Sequence, residues 1–230
     1  MKVLLFDIET SYMITRTFSL YPESISHTDI IQDWYMISAA WKWYGEKTVH
    51  SKGISKVGDD KALVKELAAA IEEADLIVYH NGDKFDWKKL NTRILQHRLK
   101  PLAKPKSLDT LKQVRKHFAI SSNRLDYVAT FLGIPGKIGN IGHIWKEISV
   151  GDLSSMPKML KYNIQDVKCL EDIYTKLRGY IDTPVEKLEG CVECGFTNLQ
   201  KGGTIVTRSK TWQRLRCLNC GKWNKQGVEA

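Results

Sequence analysis

Two acids stand two apart near the start of the chain, in Phe6-Asp7-Ile8-Glu9-Thr10. The run 2–9 (KVLLFDIE) reads as a buried strand, and residues two apart on a strand point to one face. Two carboxylates at the exit of an apolar strand repel each other unless a divalent cation shares them. A solvated strand end carries the same pattern. A further acid, Asp86, falls in the first turn of an expected helix, within His80-Asn81-Gly82-Asp83-Lys84-Phe85-Asp86. An acid there also complements a helix dipole, and Asp83 is placed to cap that helix. Tyr162 and Asp166 are four apart on another expected helix and so share a face.

The four cysteines near the end offer different chemistry. Cys191-x2-Cys194 and Cys217-x2-Cys220 are separated by 22 residues. Two such knuckles supply four thiolates to one tetrahedral structural Zn²⁺. Gly195 and Gly221 follow the knuckles, where a tight turn needs a permissive backbone. So short a segment builds little core, so the metal is expected to supply its folding energy. The remaining cysteine, Cys169, reads as a small buried apolar residue.

Placing these residues requires a set of elements. Residues 35–44 alternate as a strand, and Gly45-Glu46 turns toward a second strand near 47–51. Residues 60–74 have helical apolar spacing, and 75–79 (DLIVY) is a second buried strand. Helices are expected over about 84–98, 107–118, 124–132 and 157–178. Residues 136–142 (GKIGNIG) read as a glycine-rich loop, and Pro184 marks a linker. Residues 204–208 and 211–216 read as a hairpin between the knuckles. The order fits an α/β domain, a mixed sheet flanked by helices, with acids at element ends where such folds build sites.

The formal net charge is +9, which favours polyanionic partners. No apolar stretch is long enough to span a bilayer and no signal-peptide pattern opens the chain, so a cytoplasmic protein with no membrane partner is expected. From Leu199 to Gln226 there are seven Lys and Arg, among them Arg214 and Arg216, and no acid. Trp212 and Trp223 in this stretch suit either base stacking or the interior of the small module.

Taken in order, the motifs resemble the DnaQ-like (DEDD) exonucleases, which include polymerase proofreading domains. FDIET at Phe6–Thr10, NG-x-x-FD-x-x-x-L at Asn81–Leu90 and Y-x-x-x-D at Tyr162–Asp166 carry the likeness. The last marks the tyrosine subgroup; the histidine subgroup would have His where Lys161 stands. Residues 107–134, the stretch ending near Trp145 and residues 161–180 resemble small exonucleases encoded by phages, which often end in a four-cysteine ribbon. The resemblance covers nearly the whole chain and implies a ribonuclease H-like domain over 1–183 and a zinc ribbon over 184–230.

The resemblance also implies roles. Two Mg²⁺ or Mn²⁺ ions would be bridged by Asp7, with Glu9 and Asp166 completing one site and Asp86 holding the other ion. Tyr162 would orient the attacking water, because a phenol with a pKa of about 10 is a poor base at neutral pH. Asn81 and Phe85 match positions near the terminal nucleotide, and Thr10 closes the first motif; Phe85 is equally readable as core. The loop with Lys137, Asn140, His143, Trp145 and Lys146 would close over the strand, or else pack Trp145 inward. The expected substrate is single-stranded or 3′-frayed DNA, with RNA left open and 5′-mononucleotides as product. No polymerase palm motif appears, so proofreading would need a separate polymerase. A non-catalytic nucleic-acid-binding module and an endonuclease of the same broad fold are the competing readings.

Overall fold

A computed structural model describes residues 2–22, 24–135, 142–181, 184–185 and 190–228. Contacts divide the chain into two compact units, Met1–Ile173 and Tyr174–Ala230.

The first unit is organised around strand β1 (Val3–Thr10). Short strands β2 (Ile14–Thr15) and β3 (Ile30–Gln32) pair with each other, and β4 (Met36–Trp43) and β5 (His50–Gly53) return as a hairpin beside β1. Helix α1 (Lys61–Glu72) leads to β6 (Leu76–Tyr79), and α2 (Asp86–Gln96) leads to β7 (Lys106–Asp109). Helices α3 (Thr110–His117), α4 (Leu125–Phe131), α5 (Gly142–Ser149) and α6 (Met156–Leu177) follow. The sheet order is β5-β4-β1-β6-β7. β4 lies antiparallel to β1 while β6 and β7 run parallel, so the sheet is mixed.

β1 can be central because both its faces are covered. Leu4, Phe6 and Ile8 join the core that includes Ile37, Leu63, Leu67, Ile71 and Tyr79. Leu63, Leu67 and Ile71 recur at helical spacing along α1, and burying each contributes about 1.5–3 kcal/mol. The other face of β1 carries Leu5, Asp7 and Glu9 in alternation. There, buried Lys42 of β4 reaches Glu171 of α6 at 2.6 Å.

The structure departs from the sequence expectations in four places. The helix expected from 107 begins at Thr110, because Ser107 and Leu108 pair with Ile77 and Val78 and extend the sheet. The strand expected near 47–51 is His50–Gly53, in register with Trp41 through Ser38. Residues 142–149 form a helix, not part of a closing loop, because Ile144 and Ile148, four apart, both bury against the core. Asp83 does not cap α2, whose N-cap is Phe85 with no side-chain cap bond. Instead Asp83 accepts from Tyr79, Lys104 and Lys112, each at 2.6 Å. Burial opposes that charge, yet those partners hold its carboxyl well below the usual carboxylate range.

In the second unit, β8 (Pro184–Val185), β9 (Leu199–Val206), β10 (Thr211–Cys217) and β11 (Trp223–Gly227) form a sheet ordered β8-β11-β10-β9. The expected hairpin is β9–β10; β11 adds a strand after the second knuckle. Among the described residues no helix is long and apolar enough to cross a membrane.

Candidate active site and metal centres

The acids of β1 meet an acid of α6. Carboxylate oxygens of Asp7, Glu9 and Asp166 all lie within 4.8 Å of one another. Strand alternation puts the first two on one face, and helical spacing turns Asn163 and Asp166 of α6 toward them. Asp166 is 4% exposed and Asp7 and Glu9 are half-buried, so three carboxyl groups converge where water shields charge poorly. Such a set of hard oxygen donors fits a divalent cation of the Mg²⁺ or Mn²⁺ kind.

Neighbouring groups hold these carboxylates in place. Asn163 Nδ2 donates to Asp7 Oδ2 at 2.6 Å, and Ser38 Oγ donates to Asn163 Oδ1 at 3.2 Å. Trp145 Nε1 donates to Glu9 Oε2 at 3.1 Å. The Trp145 and Tyr162 rings meet edge to face with centroids 5.3 Å apart, so the phenol ring packs against the indole that holds Glu9. The inward-packed alternative for Trp145 is therefore the arrangement found.

Asp86 is not within the three-carboxylate group. It sits beside it, accepting the N–H of Ile8, the residue between Asp7 and Glu9, at 3.2 Å. Burial pushes the Asp86 carboxyl up to about 7; backbone N–H groups of Ile8 and Asp86 oppose this, and the charge of Asp109 adds to it. Asp109, which sequence reading passed over, positions the turn before Asp86. It accepts from Asn81 N at 2.8 Å and from Leu111 N at 3.1 Å, capping α3. Asn81 itself has φ 66°, a left-handed conformation that Asn tolerates better than most residues.

The four cysteine sulfurs of the second unit also lie within 4.8 Å of one another. Cys191–Cys220 and Cys194–Cys217 are each 3.6 Å apart, too far for a disulfide at about 2.05 Å. Thiolates at about 2.3 Å from one zinc stand about 3.8 Å from each other, so the set fits a tetrahedral Zn²⁺. Both knuckles close alike: Gly195 N donates to Cys191 O at 2.8 Å and Gly221 N to Cys217 O at 3.0 Å. The two glycines have φ 73° and 74°, a conformation other residues resist.

The RNase_H_2 family model, of the RNase_H superfamily, matches residues 26–178. The chain belongs to the RNase H superfamily. In fold, this RNase H-superfamily chain is similar to the family B DNA polymerase from the hyperthermophilic archaeon Pyrobaculum calidifontis, with TM-score 0.59 and 20% identity. The likeness covers 78% of this chain and 25% of that one, so the chain spans about a quarter of the polymerase's length. No curated protein sequence matches it. The ribonuclease H-like mixed sheet with flanking helices is thereby established, and the four-cysteine cluster near the C-terminus is consistent with a zinc ribbon.

The other residues singled out from sequence are scattered about this RNase H-superfamily scaffold. Thr10 is half-buried at a register shift between β1 and β4. Phe85 is 37% exposed at the start of α2, so it is not core, and Lys89 lies 5.6 Å over its ring. His143 is exposed on α5 and belongs to no metal-ligating group among the described residues. Lys137 and Asn140 lie outside the described residues. On the ribbon sheet, Trp212, Arg214 and Arg216 alternate onto one face of β10 while Leu215 and Cys217 are buried on the other. The Arg214 guanidinium lies 4.4 Å over the Trp223 ring, which packs on the Gly202 backbone, and Lys210 lies 5.1 Å over Trp212.

Proposed function

We propose that this chain is a metal-dependent 3′→5′ exonuclease of the DEDD tyrosine type, releasing 5′-mononucleotides from single-stranded or frayed DNA. The observation that carries the reading is the convergence of Asp7, Glu9 and Asp166, from opposite ends of the domain's sequence, with Tyr162 one helical turn before Asp166. RNase H-superfamily membership supports a nuclease-type chemistry.

In this reading Asp7, Glu9 and Asp166 would hold one divalent ion, and Asp86 would help to hold a second near Asp7. Bound there, the ions supply Lewis acidity and neutralise charge that develops on the phosphate. The protein's own part is orientation. Asn163 fixes which Asp7 oxygen faces the site, and Trp145 does the same for Glu9. Tyr162 hydrogen-bonds the attacking water without taking its proton. The ribbon face with Trp212, Arg214 and Arg216 offers nucleic acid a contact of its own through stacking and charge. Its zinc is structural. Similarity to a polymerase fold fits a proofreading setting in which a separate polymerase is the partner.

The test is degradation of matched 3′-labelled DNA and RNA strands, linear and circular, with Mg²⁺, Mn²⁺ or neither, by wild type and Asp7→Ala. Metal-dependent loss of 3′ label from linear strands, abolished by Asp7→Ala, is expected. Digestion of circles would make the chain an endonuclease, and tight binding without any cleavage would make it a binding module.

A further inference from the structure

Polar bonds attach helix α6 to strand β4 at two separated places. Beside the acids, the Ser38 hydroxyl donates to the Asn163 amide oxygen. Farther along, Lys42 Nζ lies 2.6 Å from both carboxylate oxygens of Glu171. These two side chains are 6% and 18% exposed, so the ion pair is largely withdrawn from water. Glu171 Oε1 also accepts the N–H of Gly45 at 3.0 Å, just beyond the end of β4. In the β1–β4 register Ser38 stands opposite Glu9, Ala40 opposite Asp7 and Lys42 opposite Leu5. Both attachments therefore lie on the sheet face that carries the acids.

The spacing of the two attachments matches on both elements. Ser38 to Lys42 is about 13 Å along a strand. Asn163 to Glu171 is about 12 Å along a helix. Asp166 falls between the bonded ends of that stretch of helix. Between them α6 buries Val167 and Leu170. Apolar burial is non-directional, so it does not by itself select one register of the helix on the sheet. A helix shifted by one residue travels about 1.5 Å and turns about 100°, which carries Asp166 off the face shared with Asp7 and Glu9. Directional bonds at both ends exclude that shift.

A buried ion pair is a poor stabiliser in itself, because desolvating both charges offsets their attraction, and apolar residues of similar volume often serve as well. Direction is what apolar residues do not supply. We propose that Lys42 and Glu171 are positioning residues for the carboxylate centre: the pair sets the register of α6 on β4 and so holds Asp166 against Asp7 and Glu9. This role rests on the reading of those three acids as ligands of a divalent cation.

The experiment is Mn²⁺ binding, read by electron paramagnetic resonance on the full zinc-loaded chain without nucleic acid, together with thermal melts. Lys42→Met combined with Glu171→Met should weaken Mn²⁺ binding about tenfold, as loss of a group that orients metal ligands does. Its melting temperature should stay near that of wild type. Glu171→Gln, which keeps an acceptor for Gly45 but not the charge, should also bind Mn²⁺ more weakly. Lys2→Met with Glu73→Met, which removes an exposed ion pair at 3.3 Å, should leave the affinity unchanged. Wild-type affinity in both Glu171 variants, equal weakening by the exposed pair, or weakening found only where the melting transition has collapsed would each overturn the proposal. No strand is present, so failure of the cleavage assay leaves this result standing. Wild type that binds no Mn²⁺ would overturn the metal centre and the proposal with it.

Discussion

Asn163 grips Asp7 twice, donating from Nδ2 to the carboxylate at 2.6 Å and to the main-chain carbonyl at 3.3 Å. The amide is fully buried, and the Ser38 hydroxyl on its oxygen fixes which end faces Asp7. Truncation to Ala removes both of these bonds from Asp7 and strands the Ser38 hydroxyl in the interior. Asn163→Ala should lower Mg²⁺-dependent activity about 10- to 100-fold and stability by about 1–3 kcal/mol. Asn163→Gln should recover little of either, because the longer arm does not fit. Steady-state rates against Mg²⁺ concentration, with thermal melts, check this; wild-type metal dependence in Asn163→Ala would remove Asn163 from the positioning role.

Tyr162→Phe keeps the ring that meets Trp145 edge-on and removes only the hydroxyl. The expected outcome is a kcat about a hundredfold lower with an unchanged melting temperature. A variant that cleaves at the wild-type rate would show that the phenol plays no part in the reaction.

The raised Asp86 carboxyl links stability to pH. Its folded value of about 7 stands above the ordinary 3.8, chiefly because burial penalises the charge. The neutral acid therefore stabilises the fold fully below 3.8, and that contribution is lost as pH rises through about 7. With no added divalent ion, wild type should lose up to a few (~3) kcal/mol between pH 4 and 8 relative to Asp86→Asn. Adding Mg²⁺ should shrink the difference. Parallel stability curves for the two proteins across this window would contradict the assignment.

Zinc removal should act on the second unit alone. Its buried apolar residues include Leu215, Cys191 and Cys217, a small core, whereas structural zinc binding provides about 10–16 kcal/mol in comparable modules. Elemental analysis should find one zinc per chain. Chelation or Cys191→Ser should broaden the amide NMR signals of Leu199–Gly227 and leave those of β1 and β4 in place. Retained ribbon signals without zinc would show that the sheet supports itself.

Much of the candidate site is legible in the sequence because local periodicity encodes it. Asp7-x-Glu9 shares a face only on a strand, and Tyr162-x3-Asp166 only on a helix, and the flanking apolar residues specify which element each occupies. Asn163 was hidden because its partners, Ser38 and Asp7, are 125 and 156 residues away. Asp109 carried a weak signal, an acid one residue before a helix, but its bond to Asn81 depends on β6–β7 pairing that no local pattern reveals. β7 reads in sequence as the start of the following helix, because Ser107 and Leu108 become strand only by adding to β6. Helix α5 was masked by glycines at its start, although Ile144 and Ile148 already had helical spacing.

The indole of Trp145 touches Glu9 directly, and this gives the chain an optical reporter of its own. Charge taken up by that carboxylate alters the field across the ring to which it is hydrogen-bonded, so cation arrival should register in emission before any strand is cut. Subtracting the spectrum of Trp145→Phe would isolate that signal from the other tryptophans and turn the filling of the centre into a titration.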